Sequence, residues 1–355
     1  MGENPGGALR LFIGTYTKGT SRGIYSVVMD RATGALGAPE LSTEAPNPTF
    51  LALSPDRSLL YAVCAGPGWL SSYRVDAGSP GLSPVQLSKA DASPTPCHVA
   101  VDRSGRIALA ANYHLGEAAA IALDTDGTFG PPRVVTHTGH GPNPTAQTKP
   151  HVHSTNIAPD GRFALVCDLG LDRIYTYAIG RDPVALDPVA PPFTATAPGA
   201  GPRHLAFSGV ADLAYAINEL DSTIAAYRYE ARSGTLAHLQ TVSVLPKGYI
   251  GESAAAEVCI HPNGRFLYGS CRGPDTLAVF AIDGVSGRLD LLDSVPCGGK
   301  GPRSFAISPD GRWLVCAHQV SGTLCSFGID SGNGRLKRIP GTVAVSMPVC
   351  VVFAN

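Results

Sequence analysis

The sequence has little charge and no long apolar run, and both absences exclude whole classes of protein. Only 15% of its 355 residues are charged, and the formal net charge is −1 at pH 7. A nearly neutral chain offers no overall field that attracts nucleic acid or an anionic membrane surface. It also has no run of about twenty apolar residues, the length that crosses a bilayer. We therefore expect neither nucleic acid nor a membrane as a partner.

Motifs for nucleotides, covalent nucleophiles and metals are missing as well. There is no P-loop, no dinucleotide-binding glycine pattern and no G-x-S-x-G elbow. The nine cysteines are spread singly, without a C-x-x-C pair, so buried free thiols are expected. Met1 to Ala8 lack the cationic start and apolar stretch of a signal peptide, which predicts a cytoplasmic protein. If the chain is an enzyme, we expect water as its nucleophile and no cofactor.

Turn-forming residues are abundant, and they punctuate an internal repeat. The 41 glycines and 30 prolines are spread along the chain instead of forming one low-complexity block. A Pro-containing loop, an apolar strand, a turn of the type Ser-Pro-Asp-Gly-Arg and a second apolar strand recur, as in 150–170 and 301–319. The turns repeat with a period near 50 residues. Four short strands per unit of this length indicate the blades of a β-propeller.

The two ends of the chain complete the last blade. Six full repeats are followed by PVCVVF (348–353), which has no partner strands after it. Its missing partners are at the start: LFIGTYT (11–17), GIYSVVMD (23–30) and an outer strand at 36–42. The fold class is therefore all-β, a seven-bladed β-propeller closed by one C-terminal and three N-terminal strands. We predict a flexible N-terminal segment at 1–10, a single domain at 11–355, and a monomer or weak homo-oligomer.

Polar side chains concentrate on one rim of the predicted ring. In a blade, the start of the first strand and the end of the second open onto the same face. The residues at these positions include His98, His151, His153, Arg203, His204, Glu257 and Arg303 at the starts, and Asp168, Glu219 and Arg272 at the ends. Arginines bind carboxylates and phosphates through paired hydrogen bonds, so we expect a small anionic ligand.

For some of these residues a purely structural role is an alternative to a role in ligand binding. A single polar side chain at a strand end often serves only the fold. Asp168 and Asp172 are also typical turn formers that accept hydrogen bonds from backbone N–H groups. The H-x-H spacing of His151 and His153 places both on one face of a strand and suits a metal. No third ligand accompanies the pair, so we predict no metal site.

Several segments carry a family resemblance. PHVHS (150–154), GAGPRHLAF (199–207), INELDST (217–223) and GGKGPRSFAISPDGR (298–312) resemble the lactonase family of seven-bladed propellers. That family includes propeller-type 6-phosphogluconolactonases and fungal 3-carboxy-cis,cis-muconate lactonising enzymes. The resemblance extends to both ends of the chain. It implies a metal-independent hydrolase of carbohydrate metabolism, in the pentose phosphate pathway.

The resemblance also implies positions for the site. In the muconate-lactonising relatives a His, two Arg and a Glu form the proposed active site. Their matches here are His151 or His153, Arg203, Glu219 and Arg272. Relatives commonly have Arg-Gln before the PH-x-H motif, whereas this chain has Ala146-Gln147. That departure removes a cation that would reach a substrate phosphate, and Lys149 is a candidate replacement.

The resulting hypothesis is hydrolysis of a sugar lactone, 6-phosphogluconolactone, to the open-chain acid. Glu219 is the expected general base, with Glu257 as the second candidate, and Arg203 and Arg272 stabilise the oxyanion. His151 and His153 orient the substrate or donate a proton. The expected substrate-binding residues are His204, Arg303, Asp168, Gln147 and Tyr16. A carboxymuconate-type lactonising cycloisomerase and a non-catalytic ligand-binding propeller are the alternatives.

Overall fold

A computed structural model shows seven antiparallel sheets built from 29 strands. It describes residues 7–64, 69–76, 79–88, 94–209 and 212–355, and no helix occurs among them. These residues accordingly contain no helix that is long and apolar enough to cross a membrane.

The strands follow one another blade by blade. The chain starts with β1 (Leu9–Thr15), β2 (Gly23–Met29) and β3 (Glu40–Glu44). Blade 1 is β4 (Leu51–Leu53), β5 (Leu59–Val63), β6 (Leu70–Val75) and β7 (Leu82–Gln86). Blade 2 is β8 (His98–Val101), β9 (Ile107–Asn112), β10 (Glu117–Ala122) and β11 (Arg133–Thr136). Blade 3 is β12 (Val152–Ile157), β13 (Phe163–Asp168), β14 (Arg173–Arg181) and β15 (Val184–Ala195).

The second half repeats the arrangement. Blade 4 is β16 (Pro202–Phe207), β17 (Leu213–Asn218), β18 (Thr223–Glu230) and β19 (Thr235–Ser243). Blade 5 is β20 (Ala254–Ile260), β21 (Phe266–Arg272), β22 (Thr276–Ile282) and β23 (Leu289–Pro296). Blade 6 is β24 (Pro302–Ile307), β25 (Trp313–His318), β26 (Thr323–Ile329), β27 (Leu336–Arg338) and β28 (Val343–Ala344). The last strand is β29 (Pro348–Phe353).

The closing blade joins the two ends of the chain, as the sequence predicts. Its strand order is β29-β1-β2-β3, and Ile13 of β1 pairs with Val351 of β29. The N-terminal boundary was predicted two residues too late, since β1 begins at Leu9. Arg10 belongs to the strand because it pairs with Val28 and its carbonyl accepts a hydrogen bond from the Ala354 N–H. Residues 1–6 of the predicted flexible segment lie outside the described residues.

The outer strand of this blade also lies later than predicted. It covers Glu40–Glu44 instead of 36–42, because Leu36 makes only an isolated bridge to Met29.

The first strands of all seven blades stand around a central channel, each in contact with the first strands of both neighbours. Between blades the apolar side chains form separate clusters. In one of them Tyr215 and Ile217 of blade 4 pack against Val258 and Leu267 of blade 5. Strands covered on both faces need near-continuous apolar sequence, which explains the runs in the first and second strands. The ring thus has seven small cores and leaves the channel to polar residues.

A β-bulge near the start of the first strand is shared by five blades, and in the closing blade the pairing skips Val349. The pairing skips His153 in blade 3, Arg203 in blade 4 and Arg303 in blade 6. In blade 5 it skips Ala256 and Glu257. A bulge leaves a residue without a ladder partner and turns its side chain out of the regular alternation. The repeat therefore directs four chemically active side chains towards the channel.

Candidate active site

The channel opens on this rim into a cavity of about 810 Å³, which we call the outer cavity. Strand starts and strand ends of six blades supply its walls. The lining residues are Tyr16, Lys18, Asn47, Thr49, Pro94, Thr95, Pro96, Cys97, Tyr113, His114, Leu115, Lys149, His153, Glu219 and Arg303. Of the predicted site residues, it brings together Tyr16, His153, Glu219 and Arg303.

Glu219 is held by two arginines. Its Oε2 lies 2.9 Å from Arg203 Nε and 3.0 Å from Arg272 Nη2. Burial favours the protonated form, yet the pKa of Glu219 is lowered because nearby guanidinium groups outweigh burial. Arg303 adds to this effect. A carboxylate stabilised in this way is a weak proton acceptor, which argues against Glu219 as the base.

The two paired arginines have little capacity left for substrate. Arg203 is 2% exposed and also donates to the Ala256 carbonyl. Arg272 donates from Nε to the Ala254 carbonyl, at 3.1 Å. Burial lowers the pKa of Arg203 to about 10, which still leaves it charged at neutral pH. These contacts favour a structural and electrostatic role for both arginines, in place of the predicted direct contact with an oxyanion.

Beneath the outer cavity lies a smaller one of about 20 Å³, the inner cavity, which Tyr16 and Arg303 also line. Its remaining lining residues are Thr49, Phe50, Cys97, Arg203, His204, Glu257 and Val349. A volume of about 10–15 Å³ on this measure admits one water molecule. The inner cavity therefore has room for a single water beside a carboxylate and a guanidinium group.

Glu257 is the carboxylate of the inner cavity. Burial raises its pKa to about 7, against the opposing effects of the Arg203 charge and the Val258 N–H. Its Oε1 lies 2.8 Å from His204 Nδ1. Arg203 Nη1 lies 3.2 Å from His204 Nε2, so Nε2 accepts and Nδ1 carries the proton that Glu257 accepts. A carboxyl group that titrates near neutral pH suits a general base.

Three imidazoles form a cluster next to this carboxylate: His204 contacts Glu257, and His98 and His153 pack against His204. The rings of His98 and His153 each lie 5.3 Å from that of His204. Burial lowers the pKa of all three well below the usual value, and the Arg203 charge acts in the same direction. The imidazoles are therefore neutral at pH 7 and form polar walls without charge.

Two side chains of the outer cavity, His153 and Arg303, have nitrogen atoms without a hydrogen-bond partner in the described ranges. Nδ1 of His153 is buried without a hydrogen bond, and its Nε2 lies 3.9 Å from Glu219 Oε2. Arg303 makes no hydrogen bond or ion pair within the described part of the chain, and its Cζ lies 5.9 Å from the centre of the Tyr16 ring. Buried polar groups normally have partners, so the His153 Nδ1 is an exception. Arg303 is half-buried and lines the cavity, so its guanidinium group is positioned to bind a ligand.

Four predicted site residues line neither cavity: Arg272, described above, and three others. The Nδ1 of His151 lies 3.0 Å from the Tyr113 carbonyl, and the two side chains stack. Asp168 is fully buried and accepts from the His151 and Gly170 N–H groups. Gln147 is also fully buried and donates to Asp172. The structure thus favours the turn-forming alternative for Asp168 and a supporting role for His151 and Gln147.

The bulge in β12 explains why the histidine pair separates. The H-x-H spacing predicts one shared face only where side chains alternate regularly. The pairing passes from Val152 to Ser154 and skips His153, so that alternation is broken between the two histidines. Among the described residues, no group of three or more His, Cys, Asp or Glu side chains is arranged to hold a metal ion.

Sequence reasoning missed several residues of the outer cavity, chiefly Lys18, Tyr113 and His114. Tyr113 and His114 directly follow β9, the second strand of blade 2, in a position where rim residues are expected. Lys18 follows β1, which is the second strand of the closing blade. Lys18 can be predicted from the sequence, because residues that follow the second strand of a blade lie on the rim that bears the site.

The chain is similar to known lactonases over almost its whole length. The sequence pattern of the family described as "Lactonase, 7-bladed beta-propeller" matches residues 10–353. A Bacillus subtilis 6-phosphogluconolactonase is 36% identical over 97% of this chain and 98% of its own length. The solved structure of a Pseudomonas aeruginosa periplasmic gluconolactonase is 32% identical, with a TM-score of 0.91 over 98% of this chain and 99% of the other. The chain therefore belongs to the lactonase family of seven-bladed β-propellers.

Proposed function

We propose that the protein hydrolyses a sugar lactone, and that its substrate is 6-phosphogluconolactone. The relatives named as lactonases support lactone hydrolysis. The observation that carries the proposal is the inner cavity, which offers space for one water between Glu257 and Arg303. An outer cavity of about 810 Å³ adjoins it and is large enough for a sugar ring. A cytoplasmic location and a place in the pentose phosphate pathway belong to the same proposal.

In the proposed reaction Glu257 is the general base. Its carboxylate removes a proton from the water as the water oxygen attacks the lactone carbonyl carbon. The carbonyl oxygen becomes an oxyanion, and the Arg303 guanidinium, which lines both cavities, stabilises it. The ring C–O bond then breaks, and protonated Glu257 returns its proton to the leaving ring oxygen. The product is the open-chain acid, and the base is regenerated.

The surrounding residues support this assignment. The His204 Nδ1–H orients the Glu257 carboxylate. Neutral His153 lines the outer cavity, and its Nε2 lies 3.9 Å from Glu219 Oε2. Glu219 holds Arg203 and Arg272 in place and contributes negative charge that balances them.

The second candidate substrate is the unphosphorylated lactone, which is favoured by the similarity to the Pseudomonas aeruginosa gluconolactonase. The walls of the outer cavity include three cationic side chains, Lys18, Lys149 and Arg303. That composition favours a small anionic ligand over a protein surface. The cycloisomerase alternative would use the same groups in the lactone-forming direction.

The proposal is tested by hydrolysis of freshly made 6-phosphogluconolactone and glucono-δ-lactone, each measured against a blank without enzyme. We expect acceleration that EDTA does not remove. Arg303→Ala should lower kcat by about 10²–10³-fold, the usual effect of losing an oxyanion donor. The exposed Arg338 of β27 provides the control variant Arg338→Ala, which should retain the wild-type rate. Acceleration of neither lactone by the wild-type protein would refute the proposed function.

A further inference from the structure

Basic side chains from two different loops meet at the mouth of the outer cavity. Lys18 lies on the loop after β1, and Lys149 lies on the loop before β12. Both are exposed and line the cavity together with His114, which follows β9. The three belong to the closing blade, blade 3 and blade 2, so the fold, and not the local sequence, brings them together.

The charges along the outer cavity do not balance. Among the described residues, the cationic lining residues are Lys18, Lys149 and Arg303, and the one carboxylate is Glu219. Glu219 is itself compensated by Arg203 and Arg272 behind it. A chain with a net charge of −1 therefore contains a local positive site. Such a site attracts anions and loses strength as ionic strength rises.

The two loops are held in position before any ligand binds. Lys149 Nζ donates to the His114 carbonyl at 2.7 Å. Pro150 packs against Gly116, where an added Cβ would lie 2.7 Å from the proline Cβ. This contact and the hydrogen bond tie the loop before β12 to the end of blade 2. A prearranged site loses less entropy when its ligand is bound.

On the opposite side of the mouth the loop after β1 is also tied down. The Thr17 N–H donates to Asn47 Oδ1 at 3.0 Å. Lys18 Nζ lies 5.7 Å from the centre of the Tyr16 ring, and Arg303 Cζ lies 5.9 Å from the same centre. Tyr16 thus connects the mouth of the outer cavity with the guanidinium deeper inside.

We propose that Lys18, Lys149 and His114 form a subsite for a dianionic phosphomonoester on carbon 6 of the lactone. This inference rests on the proposed function, which places the lactone carbonyl at Arg303 and the inner cavity. The ring then directs its carbon-6 substituent towards the mouth. Lysine binds phosphate as a point charge, and each charge-assisted hydrogen bond strengthens binding. The pair of lysines takes the role of the cation that Ala146 does not provide.

His114 gives the subsite a measurable proton linkage. Burial lowers the pKa of His114, and the charges of Lys149 and Lys18 lower it further. A bound phosphate dianion opposes these effects and favours the protonated imidazole. Binding of a phosphorylated ligand near pH 7 is therefore accompanied by proton uptake, whereas binding of an uncharged sugar is not.

The first test compares two substrates in one double variant. Lys18→Ala combined with Lys149→Ala should lower kcat/KM for 6-phosphogluconolactone relative to that for glucono-δ-lactone by about 10- to 100-fold. Lys337→Ala on the outer strand β27 is the matched control and should leave the ratio unchanged. An unchanged ratio in the double variant, beside normal wild-type turnover, overturns the subsite and leaves the proposed function standing.

The second test measures binding without turnover. The stable products 6-phosphogluconate and gluconate are titrated into the wild-type protein and the double variant by calorimetry, in two buffers of different ionisation enthalpy. We expect wild-type protein to bind 6-phosphogluconate more tightly, with proton uptake, and the double variant to lose both properties. That result without lactone turnover would support the subsite and refute the proposed function. Equal binding of 6-phosphogluconate by both proteins would refute the subsite.

Discussion

At the scale of single residues, two carboxylates of one site differ because their surroundings differ. The repeat places Glu219 and Glu257 on the same rim, and because both are glutamates, either could be proposed as the general base from the sequence. Paired guanidinium groups keep Glu219 ionised, whereas burial makes Glu257 hold its proton. Opposite pKa shifts in neighbouring acids are a common way to divide their roles.

The first prediction at this scale concerns the reaction. Glu257→Gln should lower kcat by about 10²–10⁴-fold, the usual contribution of a general base. In the wild-type protein kcat/KM should rise with pH through about 7, since only the deprotonated carboxyl accepts a proton. Initial rates corrected for spontaneous hydrolysis at each pH provide the measurement. A profile that stays flat between pH 6 and 8 would instead point to Glu219.

The same substitution is expected to stabilise the fold at high pH. The pKa of Glu257 is raised from 4.5 to about 7, so the folded protein binds this proton more tightly than the unfolded chain. Its contribution to the free energy of unfolding is therefore full below pH 4.5 and is lost as pH rises through about 7. Glutamine does not ionise, so Glu257→Gln avoids this decrease in the free energy of unfolding at high pH, which amounts to about 3 kcal/mol at most.

Thermal unfolding of wild type and variant near pH 5 and near pH 8 tests this linkage. The advantage of Glu257→Gln should appear only at the higher pH. Glu40 is exposed at the start of β3, so Glu40→Gln should show no such change. A variant that is less stable at both pH values would contradict the assigned environment of Glu257.

At the scale of elements, the turn between the second and third strands connects blade 3 to blade 4 and blade 5 to blade 6. The residue before the third strand has positive φ in several blades, including Asp172 at 54° and Asp275 at 55°. Asp275 Oδ1 accepts from the Gly301 N–H at 2.8 Å, just before β24 and Arg303. Asp172 Oδ1 accepts in the same way from the Gly201 N–H, ahead of β16 and Arg203. These aspartates therefore position the arginines of the next blade.

Asp275→Ala tests this role as a positioning residue. It removes the acceptor for Gly301 and places alanine in a left-handed conformation, at a cost of about 1–3 kcal/mol in the free energy of unfolding. Displacement of Arg303 should lower kcat/KM by about 10- to 100-fold at temperatures where the variant stays folded. Asp275→Asn keeps the side-chain carbonyl and should restore most of the activity. Equal loss in both variants would argue against positioning through this hydrogen bond.

At the scale of the whole molecule, closure of the ring depends on one C-terminal strand. β29 pairs with β1 and contacts β24 and β4 on its two sides. Val351 and Phe353 are buried in the cluster between blade 6 and the closing blade, with Val315 and Ile13. Without this strand the edge of β1 and two apolar faces become exposed.

Deletion of residues 348–355 is therefore expected to abolish cooperative folding. Each buried Val or Phe side chain contributes about 1.5–3 kcal/mol, and the open edge favours aggregation. Size-exclusion chromatography and circular dichroism measure the outcome. Removal of Asn355 alone is the control and should leave a folded monomeric or weakly associated protein. A compact, cooperatively unfolding protein after the longer deletion would contradict the closure mechanism.

The sequence-based predictions agree best with the structure for features that the internal repeat determines. The predicted strand at 348–353 coincides with β29, and the one at 23–30 differs from β2 by a single residue. All four chemically active residues that the bulges direct towards the channel were identified from their place in the repeat: His153, Arg203, Glu257 and Arg303. The roles were less predictable, because Glu219 and Arg203 satisfy each other, whereas Arg303 makes no hydrogen bond or ion pair with any residue that the structure describes.

The sequence by itself determined the blade count, the closure and the rim that bears the site, because a period near 50 residues and alternating turns encode these features locally. Only the tertiary structure decided which carboxylate titrates near neutral pH, which histidine faces the cavity and which lysines join at its mouth. Those properties depend on burial, on bulges that break the regular alternation, and on distances between blades. None of these follows from spacing along the chain.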